Sequence, residues 1–253
     1  MLELPEEPAL IPYFVAGYPS VESVPEAIEA FERGGADVIE VGLPFSEPIA
    51  DGPTIQNGIT RALQNGMTPS LYFEKVGEAD IDVPLVCMTY YNLIMKRGVE
   101  EFVRECKNVG IEGVIVPDLP VDESDELYEA CEKHGVSLVF IVAPTTTEER
   151  LERIMERVSG FVYVQARLGT TGAREDVSGT TYDVLKRVEG YDVPKAVGFG
   201  VSKSEHAREI IRGGADAVVA GSVFVEMMDD GIGDIEEKTR ELKRGALEGV
   251  EQT

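Results

Sequence analysis

Residues 34–42 read GGADVIEVG, and the same cadence returns as GIEGVIVPD at 110–118 and GGADAVVAG at 213–221. In each, glycine that can end a helix runs straight into a short apolar segment. That segment is rich in valine and isoleucine and does not alternate with polar residues. Such a run suits a strand buried on both faces, as in a parallel sheet. Outward from these three echoes the chain alternates strand and helix about eight times. The strand runs are 9–17, 36–45, 83–91, 113–119, 136–144, 161–167, 194–201 and 215–224. Helical spacing of apolar residues marks 25–35, 98–110, 122–135, 147–160, 204–214 and 234–250. Eight strand–helix units in a chain of 253 residues is the arithmetic of a (β/α)8 barrel. The competing open, doubly wound sheet carries a glycine-rich turn after its first strand, and AGYPS (16–20) is not that turn. The expectation is an α/β protein, a TIM barrel, with residues 1–253 forming a single domain.

Composition narrows the partners. The formal net charge is −24, which opposes binding to nucleic acid or to an anionic membrane. It reads either as a solvated acidic surface or as adaptation to a salty cytoplasm. No apolar run reaches the roughly 18 residues that span a bilayer. The first residues, MLELPEEPALIPYF, lack the basic start of a secretory signal. A cytoplasmic location is expected. Cys87, Cys106 and Cys131 are odd in number and far apart, so they read as reduced thiols, neither disulfides nor a metal cluster.

In such a barrel the chemistry lies where the strands end at their C-termini. The second strand carries Glu40 amid apolar neighbours, and Asp51 follows in the loop GLPFSEPIADGPTIQNG. A carboxyl at the barrel mouth is desolvated, its pKa rises, and it can act as acid and base near neutrality. Equally, Glu40 reads as a buried residue held by a structural partner. Asp51 by itself reads as a turn or helix cap, with a helix beginning near Pro53. The long polar loop RLGTTGAREDVSG (167–179) is either a lid or a solvated connector. The last two strands end in GFGVS (198–202) and AGSVF (220–224), the latter with Ser222 opening a short helix before Gly231. Glycine at a helix N-terminus suits a phosphate. It suits an ordinary turn as well. Asp118, between prolines at the end of the fourth strand, is either catalytic or structural. Tyr90, Tyr91 and Asn92 close the third strand and Tyr163 lies in the sixth; each reads as pocket wall or as core.

Taken in order, VIEVGLPFSEPIADGPTIQ, PDLPVDE, GTTGA, GFGVS and AGSVFVE resemble the tryptophan synthase alpha subunit, from about Leu10 to the last helix. The resemblance implies a carbon–carbon lyase of tryptophan biosynthesis. It would cleave indole-3-glycerol phosphate to indole and glyceraldehyde 3-phosphate by a retro-aldol step without metal. By that resemblance Glu40 matches the proton shuttle and Asp51 the acceptor at the ring nitrogen. Tyr163 matches a pocket residue; Gly172, Gly200, Gly221 and Ser222 match the phosphate site. Thr171 matches a threonine that orients the aspartate, and Tyr90 and Asn92 match residues near the pocket and the partner side. The resemblance further implies a beta subunit holding pyridoxal phosphate, an alpha2-beta2 heterotetramer, and no cofactor in this chain. Asp118, Pro120 and the strand-2 loop match surfaces linked to that contact.

Three departures stand out. Ser46-Glu47-Pro48 replaces the family's Ser-Asp-Pro. Ala166-Arg167 replaces Ser-Arg. The residues before Leu10 are too few for the usual helix under the barrel. Two other classes compete with the lyase. A non-catalytic activating subunit would have no need of both carboxylates. An epimerase barrel would want metal-binding histidines at strand ends, whereas His134 and His206 fall in helices; a prenyl transferase would need Mg²⁺.

Overall fold

The computed structural model describes residues 1–165, 179–198 and 200–250. It contains nine short strands: β1 (Ala9–Val15), β2 (Ile39–Gly42), β3 (Leu85–Met88), β4 (Ile111–Ile115), β5 (Ser137–Val139), β6 (Ile141–Val142), β7 (Val162–Gln165), β8 (Lys195–Gly198) and β9 (Ala217–Ala220). All pairings are parallel, in the order β5-β4-β3-β2-β1-β9-β8-β7-β6. The two ends of that order, β5 and β6, are separated in the chain only by Phe140. They are halves of one expected strand, 136–144. One half pairs with β4, the other with β7, and the sheet rolls into a TIM barrel. The eight expected strands are therefore recovered, each shorter than its apolar run. The run 215–224 illustrates why: β9 ends at Ala220 and Ser222–Met227 is already helix. Apolar residues continue through both, and periodicity alone does not separate them.

The six expected helices are present with shifted ends, and a helix Pro53–Gln64 follows the strand-2 loop. Three more, Pro69–Val76, Tyr91–Arg97 and Gly179–Val188, were unmarked in the sequence. The second corrects the reading of strand 3. β3 stops at Met88, and Tyr90 caps a helix that holds Tyr91 and Asn92. Asp118 Oδ1 accepts the Tyr91 backbone N–H at 2.9 Å, tying the chain after β4 to the first turn of that helix. Among the described residues no helix is long and apolar enough to cross a membrane.

The GGAD echoes share one local job. Gly35 and Gly214 take φ of +90° and +97°, turning the chain out of a helix and into a strand. The aspartate then staples the start of an adjacent strand. Asp37 Oδ2 accepts the Leu10 N–H at 2.7 Å, and Asp216 Oδ2 accepts the Lys195 N–H at 2.8 Å. Inside the barrel Ile11, Val38, Val86, Ile115, Val139, Phe161 and Val219 form an apolar layer. Leu2 closes it from below: it is buried in that cluster and its N–H donates to Ser137 Oγ at 3.1 Å. Leu2, with Leu4 packed against the same cluster, thus lies over the floor for which no leading helix was expected.

Candidate active site

Alternation along β2 puts Val38, Glu40 and Gly42 inside and Ile39 and Val41 against the helices. Glu40 sits one step above the apolar layer, opposite Tyr13 of β1 and Val86 of β3. It is 1% exposed. Its Oε2 atom has no hydrogen-bond partner among the described residues. Burial, and secondarily the charge of Asp51, push its carboxyl up to about 8.

The loop after β2 brings Asp51 back over the barrel mouth. Asp51 is not the helix cap: Gly52 holds that place in extended backbone, with Pro53 in the first turn and no side-chain cap bond. The carboxylate is therefore free for the pocket. Tyr90 donates its hydroxyl proton to Asp51 Oδ2 at 2.7 Å and accepts the Ala50 N–H at 2.9 Å. The Tyr90 ring packs on Phe45, with centroids 5.3 Å apart. Asp51 is 5% exposed. Burial raises its carboxyl, and the Tyr90 bond acts against that rise.

Two further tyrosines wall the carboxylates. Tyr163, from β7, fills the space beside Gly198, where a Cβ would lie 2.0 Å from its hydroxyl. Tyr13 does the same at Gly42, at 2.5 Å. Burial raises both phenols well above their usual range, and Glu40 and Asp51 add to the rise. Both are neutral hydrogen-bond donors at physiological pH. Tyr13 escaped the sequence reading because a tyrosine in ALIPYFV looks like core. Its signal is positional: it occupies the inward face, two residues above Ile11 and paired across to Glu40.

The glycine turns lie at the same end of the barrel. Gly200 has φ of +64° and is exposed, just before the helix Ser204–Arg212. Gly221 caps Ser222–Met227, and a Cβ there would come 3.1 Å from the Tyr13 ring. The structure so unites Glu40, Asp51, Tyr90 and Tyr163 in one group and sets Gly221 against its Tyr13 wall, with Ser222 next in the chain. Asn92 is exposed in the first turn of Tyr91–Arg97 and takes no part in the Ala50–Asp51–Tyr90 group. Thr171, Gly172, Ala166 and Arg167 lie outside the described residues. Glu47 is exposed, and its backbone oxygen accepts the Ile49 N–H at 2.9 Å.

Known proteins resemble this chain along almost its whole length. A model of the family described as tryptophan synthase alpha chain matches residues 2–252. The tryptophan synthase alpha chain of Haloferax volcanii is 56% identical, across 97% of this chain and 94% of the relative. That of Methanosarcina barkeri is 51% identical, across 98% and 93%. Among solved structures, the tryptophan synthase α2β2 complex of the hyperthermophile Pyrococcus furiosus superposes with a TM-score of 0.89 at 41% identity, covering 94% of this chain and 99% of that one. A Mycobacterium tuberculosis tryptophan synthase gives 0.89 at 37%, covering 95% and 93%. With the fold, the coverage and the identity in agreement, this chain belongs to the tryptophan synthase alpha chain family.

Proposed function

We propose that Glu40 and Asp51 carry out, in this chain, the reaction of its family. As a member the chain is a carbon–carbon lyase of tryptophan biosynthesis, cleaving indole-3-glycerol phosphate to indole and glyceraldehyde 3-phosphate. The observation that supports these roles is the pair of buried carboxyls at one barrel mouth. Among the described residues neither is matched by a lysine or arginine: burial sets their charge, with Asp51 acting on Glu40 and Tyr90 on Asp51. Carboxyls kept buried and uncompensated are a stability cost that a site accounts for.

The chemistry follows from their protonation. Glu40, protonated at neutral pH, delivers its proton to C3 of the indole ring. The ring becomes cationic, and its N–H is stabilised by ionised Asp51. The bond from C3 to the side-chain carbon then breaks, its electron pair restoring the aromatic ring. The side-chain hydroxyl loses its proton to the Glu40 carboxylate as the aldehyde forms, which regenerates the acid. Tyr90 holds Asp51 in place, and Tyr13 and Tyr163 line the ring pocket. Gly200, Gly221 and Ser222, with Gly172 of the preceding loop 167–179, would take the phosphate end, since the net charge of −24 leaves backbone N–H groups as the available donors; Thr171 of that loop would orient Asp51.

The partner would be a beta subunit holding pyridoxal phosphate, in a cytoplasmic alpha2-beta2 assembly; the Pyrococcus relative, solved as an α2β2 complex, supports that reading. The test is release of indole from indole-3-glycerol phosphate by the purified chain, with and without a beta subunit. Glu40→Gln and Asp51→Asn should each lower kcat by about 10²–10⁴-fold while the barrel stays folded. Undiminished cleavage by Glu40→Gln would refute the assignment.

A further inference from the structure

The helix Pro53–Gln64 meets the segment after β9 along one seam. Thr54, Gly58 and Arg61 follow the spacing i, i+4, i+7 and share a helix face. Thr54 donates its hydroxyl to Glu226 Oε1 at 3.1 Å. At Gly58 a Cβ would lie 2.9 Å from Val225 Cγ1, so the Val225 side chain occupies the space that any larger residue at 58 would need. Arg61 pairs with Asp229, which also accepts the Tyr18 hydroxyl, and the guanidinium donates to that hydroxyl at 3.0 Å. Asn65 then bonds the carbonyls of Gly17 and Pro19 at 2.9 and 2.7 Å.

The two helices of this seam start at the two ends of the site. The helix Ser222–Met227 begins at the Gly221–Ser222 turn. The helix Pro53–Gln64 begins two residues after Asp51, and Gln56 Nε2 holds the Asp51 carbonyl at 2.8 Å. A helix moves as a rod, so what fixes one face fixes its first turn. We propose that the Thr54–Gly58–Arg61 seam is a positioning contact that registers Asp51 on the phosphate turn, so that seating the phosphate places the carboxylate at the indole nitrogen. This rests on the roles assigned above.

Gly58→Ala tests it, because alanine in place of a mid-helix glycine favours the helix itself. Any loss of activity then comes from pushing the seam apart. Thr54→Val, which removes the hydrogen bond at nearly constant volume, is the milder partner. In the unaltered chain, saturating glycerol 3-phosphate should tighten indole binding several-fold. In Gly58→Ala that coupling should disappear and kcat should fall about tenfold, with the Kd of glycerol 3-phosphate alone within twofold of the parent. Thr54→Val should show the same pattern more weakly. Unchanged kcat and coupling in both variants would overturn the proposal. So would a loss that tracks glycerol 3-phosphate affinity, which marks plain damage to the phosphate end. If the unaltered chain couples the two ligands but does not cleave indole-3-glycerol phosphate, the catalytic roles fail and the seam stands.

Discussion

Glu40 places the reaction and the fold in opposition. Burial holds its carboxyl at about 8, above its ordinary 4.5. Between those values the folded chain binds a proton that the unfolded chain has released. The stability this contributes is complete below pH 4.5 and is lost as pH rises through 8. Glu40→Gln should therefore raise Tm more at pH 9 than at pH 5; equal gains in thermal melts at both would show that the carboxyl is not held neutral. In kinetics the sign is the same: kcat/KM for indole release should fall above about pH 8 as Glu40 loses its proton. The acid limb should sit higher than for an ordinary aspartate, because burial raises Asp51. A flat pH–rate profile through 8 would exclude Glu40 as the acid. At this scale the sequence was uneven. Glu40 was legible because a charge in an apolar strand is anomalous. Asp51 was not separable from a cap, since Asp-Gly-Pro suits both, and only the Tyr90 bond and the extended Gly52 backbone decide it. Tyr13 and its space at Gly42 were invisible, because a tyrosine filling a neighbour's missing side chain is a relation between strands. The counterpart at Gly198 makes a prediction. Gly198→Ala must displace the Tyr163 ring, costing about 2 kcal/mol of stability and lowering kcat/KM. Denaturation midpoints and indole release measure both, and a neutral variant would show that the ring has another place to go.

Among the elements, strand order and barrel closure followed from repeat arithmetic, while boundaries did not. The split of one expected strand into β5 and β6 reflects two neighbours pulling on a single short segment, which no local pattern encodes. The first residue of the helix Tyr91–Arg97 was read as the end of a strand because tyrosine suits both states; the start of the helix is fixed from outside, by Asp118. The GGAD echoes were legible as helix-to-strand turns, but their aspartates were not legible as staples. These differ in environment. Asp37 is 16% exposed, bonds the N–H of buried Leu10 and binds Lys243 Nζ at 2.9 Å with both oxygens. Asp216 is 50% exposed. Losing the more buried partner leaves the Leu10 N–H without its acceptor and the Lys243 ammonium with only the Pro8 carbonyl and Glu7, whereas water replaces an exposed one. Asp37→Ala should cost about 2 kcal/mol and Asp216→Ala about 0.5–1 kcal/mol, with kcat unchanged in both. Urea denaturation orders them; equal costs would mean that burial does not set the strength of the staple.

For the molecule as a whole the decisive quantity is the imbalance of 47 acidic against 23 basic side chains. Many of the bases are already engaged in surface ion pairs, such as Arg240–Glu236 and Lys133–Glu100. Exposed pairs of this kind contribute about 0–1 kcal/mol each. Salt weakens them, and salt also screens the repulsion among the carboxylates left over. The two effects oppose each other, and number decides between them. With 24 more acids than bases, like-charge pairs outnumber acid–base pairs over the molecule as a whole, and the Debye length that limits both falls from about 10 Å at 0.1 M to about 3 Å at 1 M. Screening then removes more repulsion than attraction. Tm should rise as KCl is increased from about 0.1 to about 1 M, and most of the rise should come early, where the screening length shortens fastest. Sucrose at matched osmolality separates screening from general exclusion of solutes. A Tm that falls with KCl would mean that the ion pairs, not the unpaired carboxylates, set the electrostatic stability of this barrel.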